Sequence, residues 1–387
     1  MDWHTFFAEM PDYRVNRRKK HHLVDILVIA LCALISGADD FEEIEAYGRR
    51  KEAFLRTFLD LPNGIPSHDT FTRVFRHMDT EAFGRCLYAW SAQVLACPDG
   101  ACPDGACPDG PLHAVSVDGP LHAVSVDGKV LRGTARAGAK KSGICIVSAW
   151  ASAQSLVLGQ EKVAAKSNEK TAIPDLLRAL DLRQTLVSCD AAGCQLSNAD
   201  LIVEGGGQYV LALKKNLPGA YEQVDEYFGK RIGQLPAVEE VDFGSGRIER
   251  RRCTVETRLE LLDGLADWGH LRSLVRVDAS REINGQTTTQ TRYYLSSLAV
   301  SPTDFNRYIR QHWRIENRLH WKLDVVFRED RQRTRLDNGP LNLTTARKLA
   351  LQALHQVQDA NSTKNRRKMA GWDDEYLRSV LAKMAPI

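Results

Sequence analysis

Residues 111–129 read PLHAVSVDGPLHAVSVDGK, in which one nine-residue phrase occurs twice and each copy carries an aspartate, Asp118 or Asp127. In HAVSVD every second residue is apolar, which is the period of a strand in a sheet. The first copy continues into Pro120, which lacks the backbone donor that a central strand needs. The second copy continues as GKVLRG, which lets the strand go on. We therefore predict that the second copy forms the strand and that Asp127 is its functional aspartate.

The chain after this stretch alternates between short apolar segments and one helical segment. SNEKTAIPDLLRAL, residues 167–180, begins with a capping residue and predicts a helix. Strands are predicted around it in GICIVSAWAS (143–152), LVLGQEKV (156–163), TLVSCDAAG (185–193) and QYVLALKKN (208–216). Strands followed by a helix and then by further strands are typical of a mixed α/β sheet. Residues 121–216 are therefore predicted to form the first part of an α/β core.

The second half of the chain divides into a β-rich part and a helical part. Residues 217–298 are rich in charge with alternating apolar positions, as in RCTVETRLELL, and predict an antiparallel β insertion. From Pro302 the pattern is helical. Residues 299–355 are predicted to hold the second part of the core, and residues 356–387 a helical tail.

Residues 1–95 predict a small helical domain. Its most apolar run, residues 23–38, is LVDILVIALCALISGA, which has 16 residues and carries Asp25. A membrane-spanning helix needs roughly 20 apolar residues, so this run predicts a buried helix and no membrane span. A helical domain with basic outer surfaces can grip a DNA duplex. A packing module without DNA contacts is the alternative.

Residues 96–120 predict a linker. It opens with three copies of ACPDG at residues 96–110, and the proline and glycine of each copy break helices and strands. The cysteines of these repeats have no second pair of ligands nearby, which argues against a zinc site. The two adjacent tandem repeats suggest slippage in the coding DNA, and the resulting expansion leaves the activity of this chain open.

The charge is mild overall but locally concentrated. The formal net charge is +3, and basic residues cluster at Arg14, Arg17, Arg18, Lys19 and Lys20, at Arg247, Arg250, Arg251 and Arg252, and at Lys364, Arg366, Arg367 and Lys368. Basic patches indicate nucleic-acid binding, with solvated faces as the alternative. Nine cysteines without a secretion signal indicate a reducing compartment, so we expect a cytoplasmic protein.

Three acids are candidates for catalysis. Asp127 and Asp190 each end a predicted strand, and strand ends in an open α/β sheet project into the crevice where ligands bind. Ordinary turn residues are the alternative. Glu316 lies in HWRIENRLHW, where His312, Glu316 and His320 are four residues apart and share one helix face. Three such acids can hold two divalent cations about 3.5 to 4 Å apart for in-line attack on a phosphodiester, with a plain surface role for Glu316 as the alternative.

Seven segments, taken in order and with their spacing, resemble one known family. They are SHDTFTRVF (67–75), SVDGKVLRG (125–133), KSNEKTAIPDLL (166–177), DAAGCQ (190–195), YVLALKKN (209–216), TRYYLSSL (291–298) and HWRIENRLHWKLDVVFRED (312–330). The chain resembles the H-repeat-associated insertion-sequence transposases, a branch of the DDE transposases. The resemblance implies a ribonuclease-H-like catalytic core with a β-rich insertion, an N-terminal helical domain and a helical C-terminal tail.

Carried over residue by residue, the resemblance implies that Asp127, Asp190 and Glu316 are the catalytic and metal-binding acids. Oxygen ligands suit Mg²⁺ or Mn²⁺, and two ions are expected. Members of the family bind the terminal inverted repeats of their insertion sequence in double-stranded DNA, cleave the strand at its ends and attack target DNA with the freed 3′ hydroxyl. The resemblance therefore implies DNA as the partner. We expect a homodimer in the DNA complex, associated with the bacterial nucleoid. Candidate phosphate contacts, each with surface decoration as its alternative, are Arg17, Arg18, Lys19, Lys20, Lys214, Lys215, Arg310 and Arg314.

Two positions depart from the pattern of related transposases. Leu323, beside Lys322, stands where a lysine follows the glutamate by seven residues, and His312 stands where an arginine is expected. Glu329 and Asp330 are the alternative third acids if Glu316 points away from the site. A DNA-binding protein that no longer cleaves and a nuclease without strand transfer are the alternative functions.

Overall fold

The structure is a computed structural model that describes residues 2–15, 19–96, 121–135, 143–164, 167–244, 246–259 and 263–384. Within these residues a nine-stranded mixed sheet forms the centre. Its strands are β1 (His122–Leu131), β2 (Ile144–Ala151), β3 (Leu156–Lys162), β4 (Thr185–Cys189), β5 (Gln208–Leu213), β6 (Ala237–Gly244), β7 (Arg247–Glu256), β8 (Ser273–Ile283) and β9 (Gln286–Ser296). The prediction of a mixed α/β protein is confirmed.

Helices precede, interrupt and follow the sheet. In chain order they are α1 (Trp3–Phe6), α2 (Leu23–Ile35), α3 (Phe41–Arg50), α4 (Glu52–Leu55), α5 (His68–His77), α6 (Thr80–Ala96), α7 (Glu169–Arg178), α8 (Leu196–Glu204), α9 (Pro218–Arg231), α10 (Pro302–His312), α11 (Trp321–Val325), α12 (Gly339–Gln356), α13 (Thr363–Trp372) and α14 (Asp374–Leu381). A short π-helix, Glu316–His320, connects α10 to α11.

β1 is a central strand of the sheet. The strand order is β3-β2-β1-β4-β5-β9-β8-β7-β6, and β1 runs antiparallel to β2 and parallel to β4. Both faces of β1 are covered by other parts of the protein, so Val124, Ser125 and Val126 are all buried. The alternation in the sequence therefore does not separate a solvent-exposed face from a buried one. The strand consists of residues from the second copy of the repeat and the KVL that follows, as predicted. Asp118 lies outside the described residues.

The segment predicted as a β insertion begins with a helix and then extends the central sheet. α9 has a proline in its first turn and buries Ala220, Val224, Tyr227 and Phe228, a three-to-four spacing that is helical. β6 to β9 follow as antiparallel strands, and β9 pairs with both β5 and β8. The β-rich prediction therefore holds for the strands but was wrong for residues 218–231.

The N-terminal and C-terminal helices share one hydrophobic core. α2 packs against α12, which is buried along nearly its whole length, and the apolar residues of α2 from Ile26 to Ile35 are at most 3% exposed. The apolar run at residues 23–38 is thus a buried helix, as predicted. In the described part of the chain, no helix combines the length and the hydropathy that a membrane crossing requires.

Candidate metal centre

Strand pairing brings Asp127 and Asp190 side by side, but β1 continues through Asp127 to Leu131, so the prediction that Asp127 ends its strand was wrong. β1 and β4 are parallel neighbours in which Val126 pairs with Cys189, and Asp127 and Asp190 are the next residues of the two segments. Neighbouring strands are about 5 Å apart, so the two aspartates lie close together at the edge of the sheet where β4 ends. The Oδ1 atom of Asp190 accepts a hydrogen bond from the backbone N–H of Ala192 at 2.8 Å, which holds its carboxylate at the start of the following turn.

Glu316 and His320 reach Asp127 from the π-helix. One ligand atom from each of Asp127, Glu316 and His320 lies within 4.8 Å of the other two. His320 is buried while Glu316 is exposed, and His320 Nε2 lies 3.4 Å from Asp127 Oδ2. Over the described ranges of the chain, this is the one group of three such side chains with the spacing of a metal site. Asp190 does not belong to the group, although it follows the strand next to it.

His312 lies beneath the acids and does not join the metal group. Its ring is buried and its Nδ1 atom is 3.0 Å from Ser188 Oγ on β4. Burial lowers the pKa of His312, while the charges of Asp127 and Asp190 act in the opposite direction. The imidazole therefore connects the end of α10 to β4. Of the three residues predicted to share one helix face, Glu316 and His320 lie beside Asp127, and His312 does not join them.

Glu169 is a fourth acid at this edge, and sequence reasoning missed it. It is the first residue of α7, and a Cβ atom placed on Gly128 would lie 2.2 Å from Glu169 Oε1, so the carboxylate rests on the backbone beside Asp127. Cys145 Sγ donates to Glu169 Oε1 at 3.4 Å. Burial is the main cause that raises the pKa of Glu169, and the charges of Asp190 and Asp127 raise it further. The available signal was the segment SNEK, which was interpreted only as a helix start.

Replacing Glu169 with glutamine is expected to raise the melting temperature of the metal-free protein by a few degrees at pH 8. The folded-state pKa of Glu169 is raised, so the folded protein holds this proton more tightly than the unfolded chain does. The stability from that group is present at low pH and is lost as pH rises through the folded-state pKa. Glutamine keeps the shape without the charge, so the gain should vanish near pH 4. Thermal melts across this range measure it.

The matched control is Glu204→Gln, because Glu204 is an exposed glutamate at the end of α8. Its melting temperature should follow that of the unmodified protein at both pH values. A Glu169→Gln protein that melts lower than the unmodified one at pH 8 would contradict the raised pKa of this carboxylate.

Some of the residues predicted to contact phosphate lie beside the acids. Lys214 and Lys215 line, together with Asp190, a cavity of about 250 Å³. Arg292 and Trp313 line the same cavity, and the Arg292 guanidinium carbon lies 4.5 Å from the centre of the Trp313 ring. Sequence reasoning did not single out Arg292. The cavity therefore presents several cations and several aromatic side chains next to Asp190, which follows the end of β4.

Other predicted phosphate contacts lie elsewhere or are engaged within the protein. Arg310 forms ion pairs with Glu240 at 3.2 Å and Asp242 at 2.8 Å, which join α10 to β6. Arg314 is exposed and lines a surface cavity of about 840 Å³ that also includes Arg310. In the N-terminal cluster, Lys19 pairs with Asp12 at 3.3 Å and Lys20 is exposed, while Arg17 and Arg18 lie outside the described residues.

Two of the four basic residues in the cluster near the end of the chain make contacts within the protein. Arg367 is 5% exposed and donates hydrogen bonds to the carbonyls of Leu34 and Ala38 at the end of α2. Arg366 pairs with Asp359 at 2.8 Å. Lys364 and Lys368 are exposed. The spacing of charges in the sequence therefore overstated the basic surface that is available to a partner.

Glu329 and Asp330, the alternative third acids, and Lys322 make their contacts away from the metal group. Glu329 is completely buried and lies 3.8 Å from Lys129, while Asp330 faces Arg132 at 3.8 Å. Lys322 donates to Thr363 Oγ1 on α13 at 2.5 Å. Leu323, at the position of the expected lysine, is buried in the helical core. Glu316 is thus the acid of this region that lies beside Asp127.

Two family models match the chain. A model described as a transposase DDE domain matches residues 118–352, and the DDE_Tnp_1-associated model matches residues 4–91. The first match includes the whole second copy of the nine-residue repeat. It also spans Asp127, Asp190 and Glu316.

Curated relatives resemble the chain over most of their length. An uncharacterized protein in the dhlA 3′ region of Xanthobacter autotrophicus is 40% identical over 300 residues, which cover 77% of this chain and 95% of that protein. The putative transposase YncI of Escherichia coli O157:H7 is 32% identical over an alignment of 391 residues, with 99% of this chain and 95% of that protein covered. The H repeat-associated putative transposase YhhI of Escherichia coli (strain K12) is 33% identical over 384 residues, with 96% of each covered.

Proposed function

The chain belongs to the DDE transposases of the H repeat-associated type, and we propose that it binds the terminal inverted repeats of an insertion sequence, cleaves DNA at their ends and joins the freed ends to target DNA. The observation that carries the proposal is the meeting of Asp127 and Glu316, which are far apart in the sequence, next to Asp190. An element has two ends to bring together, which favours a homodimer in the DNA complex. The bacterial relatives support action on DNA in the cytoplasm.

The side chains at this edge fit a divalent cation. Asp127, Glu316 and His320 offer oxygen and nitrogen donors in one small volume, and the buried ring of His320 has no hydrogen-bond partner within the described residues. Asp127, Asp190 and Glu316 would hold Mg²⁺ or Mn²⁺, with two ions expected. A bound pair of such ions would supply activation of the attacking oxygen and offset charge on the phosphodiester.

The remaining residues of the site position these acids and the DNA backbone. The contact between His312 Nδ1 and Ser188 Oγ holds the end of α10 on β4, and this fixes where the π-helix presents Glu316. Lys214, Lys215 and Arg292 lie around the cavity beside Asp190, where cations attract the phosphates of a bound strand. Glu169 adds a further carboxylate beside Asp127, so the edge carries an excess of negative charge that favours cations.

The order of the strands supports a ribonuclease-H-like core as part of the proposal. β1, β2 and β3 are sequential antiparallel strands, after which α7 leads to β4 and α8 to β5, both parallel to β1 in the order β3-β2-β1-β4-β5. Asp127 lies on the central strand and Asp190 follows its neighbour. Glu316 arrives from a helical segment after the sheet, as a DDE arrangement requires.

The proposal is tested with DNA that carries the inverted repeats found at the borders of the gene. With Mg²⁺ or Mn²⁺ we expect nicks that leave 3′ hydroxyl ends at the repeats, followed by joined products with target DNA. Nicks without joined products would favour a nuclease. A retained band shift without nicks at any metal concentration would favour a protein that only binds DNA, and either result would overturn the proposal.

A further inference from the structure

His320 is buried without a partner for either ring nitrogen. Its side chain is 3% exposed, and neither Nδ1 nor Nε2 has a hydrogen-bond partner among the described residues. Buried polar groups in native proteins almost always have a partner, so an orphaned imidazole requires an explanation. A ring nitrogen that lacks a hydrogen-bond partner is available to a ligand that the protein itself does not supply.

The orphaned ring points at the carboxylates. His320 Nε2 lies 3.4 Å from Asp127 Oδ2 without the alignment of a hydrogen bond, and Glu316 completes a group whose ligand atoms are all within 4.8 Å of one another. The nearest lysine on β1, Lys129, is paired with Asp324 at 2.5 Å. The imidazole therefore shares with two carboxylates a space that suits a cation.

The backbone that carries His320 has an unusual conformation. Glu316–His320 forms a π-helix, and the N–H of Trp321 bonds to the carbonyl of Glu316. π-helical turns are rare and occur frequently at functional sites. Here the widened turn carries both of the side chains that approach Asp127.

We propose that His320 is a nitrogen ligand of the cation held by Asp127 and Glu316, and that this nitrogen makes the site prefer a transition-metal ion such as Mn²⁺ over Mg²⁺. Mg²⁺ is a hard ion that takes oxygen ligands, whereas imidazole suits transition metals. The three-carboxylate arrangement alone does not distinguish the two ions in this way. The inference rests on the proposed function and adds to it the identity of the ion.

The experiment uses the full-length protein loaded with a substoichiometric amount of Mn²⁺ and no DNA. Electron spin echo envelope modulation detects ¹⁴N nuclei bonded to Mn²⁺, and we expect this modulation in the unmodified protein. His320→Gln should lose the modulation, raise the Kd for Mn²⁺ by at least about tenfold and change the Kd for Mg²⁺ much less. His312→Gln is the control for the other buried histidine near these acids: an amide can take over the hydrogen bond to Ser188 Oγ that holds α10, and the modulation should remain.

The outcomes separate this inference from the proposed function. Bound Mn²⁺ without ¹⁴N modulation, or modulation lost in His312→Gln and kept in His320→Gln, overturns the nitrogen ligand and leaves DNA cleavage standing. If neither ion binds, the metal-dependent function fails as well. Circular dichroism checks the fold of both variants. If His320→Gln does not fold, the unmodified protein and His312→Gln are compared. Modulation and a lower Kd for Mn²⁺ than for Mg²⁺ in both proteins support the nitrogen ligand, and bound Mn²⁺ without modulation overturns it.

Discussion

Replacing Asp127 with asparagine is expected to reduce DNA strand cleavage by at least about a thousandfold, roughly 4 kcal/mol in the activation barrier. Asp127 lies on β1, an interior strand of the sheet, and is the member of the metal group that faces both Glu316 and His320. Asparagine keeps the size of the side chain but removes the charge that holds a cation. Cleavage of labelled DNA measures the effect, and a gel shift with the same DNA should remain close to that of the unmodified protein.

The duplicated phrase supplies the control for this experiment inside the same chain. Asp118→Asn changes the same residue type in the same local sequence, HAVSVDG, and should leave cleavage near the unmodified level, because β1 is built from the second copy. Loss of cleavage in Asp118→Asn with retention in Asp127→Asn would show that the first copy supplies the acid. Loss of DNA binding in Asp127→Asn would instead indicate damage to the fold.

Replacing Arg367 with methionine is expected to destabilise the protein by about 3 to 5 kcal/mol. This buried guanidinium donates to the carbonyls of Leu34, Ala38 and Val326 and pairs with Asp39 at 3.2 Å. Its carbon atom also lies 4.1 Å from the centre of the Phe327 ring. Methionine fills part of the space but leaves these acceptors without a donor. Chemical denaturation should show the loss, with a melting temperature lower by several degrees.

Lys368→Met is the matched control, because Lys368 is the next residue of the same helix and is exposed. Its free energy of unfolding should stay within about 0.5 kcal/mol of the unmodified value. If Lys368→Met weakens DNA binding while Arg367→Met leaves stability unchanged, the basic cluster acts as a binding surface and the structural role given to Arg367 is wrong.

The core strands could be predicted from the sequence because each is marked by its own residues. β1 to β5 all fall within segments whose apolar content and turn residues predicted strands. The helix α9 was missed because its charged residues obscured a helical spacing that is clear once Val224 and Phe228 are seen to be buried together. The continuity of β6 to β9 with the core was also not predictable, since it depends on β9 pairing with β5.

The site shows the same division between local and distant information. Asp127, Asp190 and Glu316 were predicted because strand ends and a resemblance marked them, whereas Glu169 carried only the signal of a helix start. His320 was noticed as a member of a helix face, but its missing partners became visible only when the π-helix was packed against β1. Arg367 was counted among surface charges because burial does not show in a run of basic residues.

By itself, the sequence determined that this protein has an α/β core, that the second copy of the repeat supplies a strand with Asp127, and that the chain resembles the DDE transposases. Only the tertiary structure decided that His320 and Glu169 join the acids, that Lys214 and Lys215 lie beside Asp190, and that Arg367 serves the core. The physical reason is that periodicity and turn chemistry are properties of neighbouring residues. Contacts between side chains far apart in the chain depend on how the sheet and helices pack.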